Sequence, residues 1–108
     1  MFEANYLTSL PPGMDLPNLT NGERMFDGSP ITSAMGLKLH NINNGSSFML
    51  GANLPVSQYS NILIEIEANN PNDNVTIHFG SSKYDTAGAR AKRELVNRGW
   101  NIADGGLV

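Results

Sequence analysis

Cysteine is absent from the chain, which excludes disulfides and thiolate chemistry and leaves nothing to say about redox compartment. Charge is also scarce: seven Lys and Arg stand against ten Asp and Glu, for a net charge of −3. Binding to phosphates calls for a basic surface, so nucleic acid is not an expected partner. There is no run of about eighteen apolar residues and no basic-then-apolar leader, so the chain is expected neither to insert into a membrane nor to carry its own signal peptide. A piece cut from a longer secreted protein would read the same. No phosphate-binding loop, paired-cysteine site or H-E-x-x-H helix occurs. The expectation is therefore no cofactor, no metal and no enzyme. At 108 residues, a single domain with a modest core is expected.

What is present is a repetition. "GMDLPNLTNGERMFDGSPI" at 13–31 aligns without a gap on "GLKLHNINNGSSFMLGANL" at 36–54, an offset of 23. Gly13/Gly36, Leu16/Leu39, Asn18/Asn41, Asn21/Asn44, Gly22/Gly45 and Gly28/Gly51 are identical. Apolar positions exchange like for like: Met14/Leu37, Leu19/Ile42, Met25/Phe48, Phe26/Met49 and Ile31/Leu54. An earlier partial copy matches at Met1/Met25, Phe2/Phe26, Leu7/Ile31 and Thr8/Thr32. Repeated Gly and Asn mark repeated turns, because both tolerate left-handed dihedrals. A period in the twenties with an L-x-L pattern is a solenoid signature, above all that of leucine-rich repeats. Each unit reads as a short strand, Met14–Pro17 or Leu37–His40, followed by an asparagine corner and a helical turn, with Thr20 and Glu23 at capping-box spacing.

The second half continues the alternation. "SQYSNILIEIEANN" carries both a strand pattern (Ile62, Ile64, Ile66) and a helical stripe (Tyr59, Ile62, Leu63, Ile66). A parallel crossover to the next strand, Val75–Phe79, decides for a helix, with Ser57 as its N-cap. "DTAGARAKRELVNRGW" predicts a second helix, capped by Asp85 or Thr86 and buried along Ala87, Ala91 and Leu95. Gly99 would take the left-handed position after it and let Trp100 fold back on Leu95. "WNIADGG" is the last expected strand and exit. The expected fold class is α/β: a short right-handed leucine-rich-repeat-like solenoid with a parallel strand ladder and helices on the convex side. Residues 1–56 would be the short repeats and 57–108 the longer β/α turns of one domain.

"NLTNGERMFDGS" resembles the N-V-T-x-M-x-x-M-F-x-G-C consensus of the BspA-like leucine-rich-repeat family, found in bacterial surface proteins and in tail-associated proteins of phages. Ser29 and Ala52 replace the family cysteine, and Gly22 and Gly45 replace a methionine. The stretch from Tyr59 to Gly106 is similar to the terminal segment of such arrays, with its V-T-x-H-x-G-x-S-x-Y and G-W-x-I-x-D-G-G motifs. The resemblance covers nearly the whole chain, and the terminal motif is its more specific part. It implies a non-catalytic recognition or adhesion module of a phage virion or bacterial surface protein, binding a protein or cell-surface glycan. The chain opens at "MF", the middle of a unit. Either it is a fragment of a longer array or a partner covers that end, and a role in assembly through that open edge, as an oligomer or in a larger particle, is the alternative.

With strands stacked in register, Asp15, Lys38, Thr76 and Asn101 would form one outward row, and Pro17, His40, His78 and Ala103 the next. Asp15, Lys38, His40, Thr76, His78 and Asn101 are thus the candidate partner-binding residues. His40 beside His78 would be a pH-sensitive spot or half a metal site, but no third ligand is evident and the plain reading is two surface histidines. Ser81, Ser82 and Asp85 near His78 read as turn formers and a helix cap rather than a triad. Arg90, Lys92, Arg93 and Arg98 read as the solvated flank of an amphipathic helix. An enzyme acting on surface polymer would need convergent carboxylates, and Glu65 and Glu67, two apart on a helix, point in different directions.

Overall fold

Tyr59, Ile62, Leu63 and Ile66 recur at helical spacing, and the structure buries all four on one side of helix α1, Val56–Asn69. This is a computed structural model, and it describes residues 8–10, 13–14, 19–23, 25–26 and 30–108. Helix α1 starts two residues earlier than Ser57 would allow as a cap. Pro55 holds the N-cap position at φ −56°, and no side chain caps the end. The helix stops at Asn70, which is extended because Pro71 disfavours helical geometry in the residue before it.

Strands β1 (Thr76–His78) and β2 (Lys83–Tyr84) precede helix α2 (Thr86–Asn97), and β3 (Asn101–Ala103) and β4 (Gly106–Leu107) follow it. The Asp85 carboxylate accepts from the N–H groups of Ala87 and Gly88, both at 3.1 Å, so of the two candidate caps it is Asp85 that starts α2. The buried stripe of α2 is Gly88, Ala91 and Leu95; Ala87, expected inside, is exposed. At the other end Trp100 donates its N–H to Leu95 O and Gly99 to Val96 O, with Gly99 at φ +86°. That pair of bonds is the Schellman closure, and it returns Trp100 to the core.

The expected leucine-rich-repeat-like solenoid with a parallel strand ladder is not what the chain forms. Among the described residues the architecture is a small α/β fold with two helices and two separate two-stranded parallel sheets, β1–β3 and β2–β4. Among the described residues of the repeated segments, isolated parallel bridges pair Ser9 with Ser33 and Asn21 with Asn44, and another joins Gly45 to Ile77. Leu37–His40, expected as a strand, is not one: Lys38 donates its N–H to Met14 O at 2.9 Å, and the extended run goes no further. Its companion Met14–Pro17 lies, after Met14, outside the described residues. A ladder needs several consecutive extended residues on both sides. Here Gly36 at φ +71° turns the chain just before Leu37, and Asn44 bonds its own downstream backbone just after the bridge. Each described stretch of pairing is cut to one or two residues. The molecule measures 33 × 28 × 21 Å with a radius of gyration of 12.1 Å. That is close to the ~13 Å of a compact chain this long, not to an elongated stack.

One apolar cluster runs from Leu10 through Phe26, Ile31, Leu39 and Phe79 to Trp100. Its aromatic rings form a relay: Phe26 to Phe48 at 5.3 Å, Phe48 to Phe79 at 6.3 Å and Phe79 to Tyr59 at 4.9 Å between centroids. The offset and edge-on arrangements suit the ring quadrupoles.

A candidate binding face of neutral polar side chains

Parallel pairing carries side chains at equivalent positions to the same side of the backbone, and here it assembles a row different from the expected one. Thr76 is opposite Asn101 in the β1–β3 register, as the sequence spacing predicts, and both are exposed. The neighbour of β1 on its other side is Gly45, paired with Ile77. Gly45 donates to Thr76 O at 2.6 Å and accepts from His78 N–H at 3.2 Å, which places Asn44 beside Thr76. Asn44 in turn is bridged to Asn21. The row is therefore Asn21, Asn44, Thr76 and Asn101. Its alternate positions, Gly22, Gly45 and Ile77, are buried, and Ile102 is half-buried.

The remaining expected residues are elsewhere. His78 is half-buried opposite Ala103, and its Nδ1 accepts from Gly80 N–H at 2.9 Å. His40 is not its neighbour. Its Nε2 is shielded from solvent 3.6 Å from Glu65 Oε2 on α1, with no hydrogen-bond partner among the described residues. Lys38 is half-buried beside Met14, and Asp15 lies outside the described residues. No three His, Cys, Asp or Glu side chains among the described residues converge to hold a metal ion.

The serine and aspartate groups near His78 are engaged in the scaffold. The Ser82 hydroxyl is buried and accepts from Leu54 N–H at 3.0 Å, Ser81 donates to Ala52 O, and Asp85 caps α2. Its bonds from Gly88 N–H, then Ser60, hold the Asp85 carboxyl below the usual carboxylate range.

Two arrangements had no forecast. Asp104, with a side chain only 2% exposed, accepts from Lys92 Nζ with both oxygens at 3.0 Å, from Tyr59 Oη–H at 2.6 Å and from Gly106 N–H at 2.9 Å. Lys92 also lies 4.9 Å from the centre of the Tyr84 ring. Lys92 is thus a structural partner and not a solvated flank. Burial, then the hydrogen bond and charge of Asp104, push the Tyr59 hydroxyl far above its ordinary pKa. A signal for this was present: Tyr59 falls on the apolar stripe of α1, and a buried phenol requires a partner. The second arrangement is an open groove of about 460 Å³ between the helices, floored by Ile64, Ala87 and Ala91 and edged by Glu67, Arg90 and Glu94.

No helix among the described residues is long and apolar enough to cross a membrane. Compared with protein-family models, with curated proteins and with solved structures, the chain finds no match in any of the three.

Proposed function

We propose that the chain is a non-catalytic recognition or adhesion module of a bacterial surface protein or phage virion. It holds a protein or glycan partner on the face formed by Asn21, Asn44, Thr76 and Asn101. The observation that carries this reading is the row itself: four hydrogen-bonding side chains set at regular intervals by backbone pairing. The scaffold roles of Ser82, Ser81 and Asp85 support recognition over catalysis. Thr76 and Asn101 belong to the row; His78 is on the same face of β1 one step along the strand, opposite Ala103, and His40 lies beside Glu65 on α1.

The test is retention of the labelled chain on a panel of Gram-positive and Gram-negative cells, measured by flow cytometry. Thr76→Arg with Asn101→Arg is expected to abolish retention on the cells that hold the native chain. Equal retention of the two chains, or no retention of the native chain on any cell, defeats the proposal.

A further inference from the structure

The chemistry of the row is narrower than recognition in general. We infer that its partner is a neutral, linear glycan laid across Asn21, Asn44, Thr76 and Asn101; this rests on the recognition reading above. The row has no ionisable side chain. Glu23, two residues after Asn21, and His78, two after Thr76, are the nearest ionisable groups along the chain. A polyanion would find no Lys or Arg in the line of contacts.

Two of the donors, on Asn21 and Asn44, are fixed in advance. Asn21 Oδ1 accepts from Glu23 N–H at 3.0 Å and Asn44 Oδ1 from Ser46 N–H at 3.1 Å. Because a backbone N–H can only donate, these bonds decide which amide atom is oxygen and leave Nδ2 as the free donor. Among the described residues these Nδ2 groups, the Thr76 hydroxyl and the Asn101 carboxamide have no other partner. Sugar hydroxyls accept and donate alike and match this set. The Asn21 and Asn44 side chains, already held in place, lose little freedom on binding.

Spacing points the same way. Paired backbones lie about 4.8 Å apart, so four positions span about 14 Å in equal steps. An extended hexose chain advances by a similar step per ring, which lets one polymer repeat the same contact. A protein partner is the weaker fit, since protein interfaces concentrate their energy in Trp, Tyr, Arg and apolar anchors. Here Phe26, Phe48, Tyr59, Phe79 and Trp100 are all buried in the core.

The test is isothermal titration of the full chain with cellotetraose, maltotetraose, chitotetraose and, as the anionic control, tetragalacturonate, at low and high salt. At least one neutral tetrasaccharide is expected to bind with an affinity that salt leaves unchanged. Asn44→Asp with Thr76→Val should weaken it about tenfold, the loss of roughly two hydrogen bonds. Asn44→Asp keeps the acceptor for Ser46 N–H and Thr76→Val keeps the shape, so circular dichroism should show an unchanged fold. The inference is overturned if no neutral tetrasaccharide binds, if only tetragalacturonate binds, or if the folded double variant binds as well as the native chain. Cell retention that is lost on protease treatment and indifferent to competing oligosaccharide overturns the glycan but leaves recognition standing. Equal retention of the native chain and the Thr76→Arg, Asn101→Arg variant defeats recognition itself.

Discussion

Gly22 and Gly45 hold equivalent places in the repeat, and neither is there for a left-handed turn. Both are buried, and a methyl group added to Gly22 would come within 2.8 Å of the Phe48 ring, one added to Gly45 within 2.5 Å of Ile77. They are small because the next segment's side chain lies directly over them. Gly13 and Gly36, at φ +70° and +71°, are the pair that the dihedral argument fits. Overpacking a filled core costs about 1–3 kcal/mol. Gly45→Ala should therefore lower the urea-unfolding free energy by about 2 kcal/mol, with the slope unchanged. It should also shift Ile77, and with it the spacing between Asn44 and Thr76. A Gly45→Ala chain as stable as the native one would show that Ile77 has room to move.

Helix α2 is the element with the most complete set of local signals, and its start is tied to pH. Asp85 has a lowered pKa in the fold relative to its ordinary unfolded value. Its contribution is therefore full above the unfolded value and disappears as pH falls through the folded one. Acid unfolding followed by far-ultraviolet circular dichroism should show native stability declining below the usual carboxylate range. Asp85→Asn caps a helix without titrating, so the difference between the two proteins should shrink as pH falls. Because Asp85 is exposed, solvent screening keeps the effect small. A difference independent of pH would mean the carboxylate's charge is irrelevant to the cap. Helix α1 lacks a capping side chain at its start, so its stability comes from the face it buries and from Tyr59 on Asp104.

At the scale of the molecule, Asn70 joins the repeated half to the rest. Buried at 3% exposure, it donates from Nδ2 to Leu39 O at 2.9 Å and Ile42 O at 3.0 Å, while its Oδ1 accepts from Asn72 N–H. Arg98 then closes the same loop from α2, donating to Asn70 O and Asn72 O, and Trp100 Nε1 donates to Asn72 O. Asn70→Ala strips the side-chain donor from two carbonyls at once. Each buried group left unpaired costs about 1–3 kcal/mol, so a loss of about 3 kcal/mol is expected in urea unfolding. A loss under about 1 kcal/mol would mean that water reaches those carbonyls instead. Asp104 plays the matching part at the opposite end, tying α1 through Tyr59 and α2 through Lys92 to the turn before β4.

The features that the sequence alone determined are the short-range ones. The place of α2, its start at Asp85 or Thr86, its Gly99 and Trp100 closure, and the pairing of Thr76 with Asn101 all follow from helical periodicity, capping chemistry and crossover length within some thirty residues; the structure chose Asp85. Asn21 and Asn44 were visible as a repeated pair, but only as turn formers, and nothing local says that a turn residue also faces a partner. Tertiary structure alone decided which segment lies against β1. Leu37–His40 has the better strand composition, yet the place beside Ile77 goes to Gly45, whose missing side chain leaves room for that isoleucine. Strand propensity is a property of each segment, whereas adjacency depends on how turns, buried side chains and the Asn70 and Asp104 contacts fit together. For that reason the described repeat residues pair through isolated bridges, the two small sheets lie in the second half, and the row runs through Asn44 instead of Lys38.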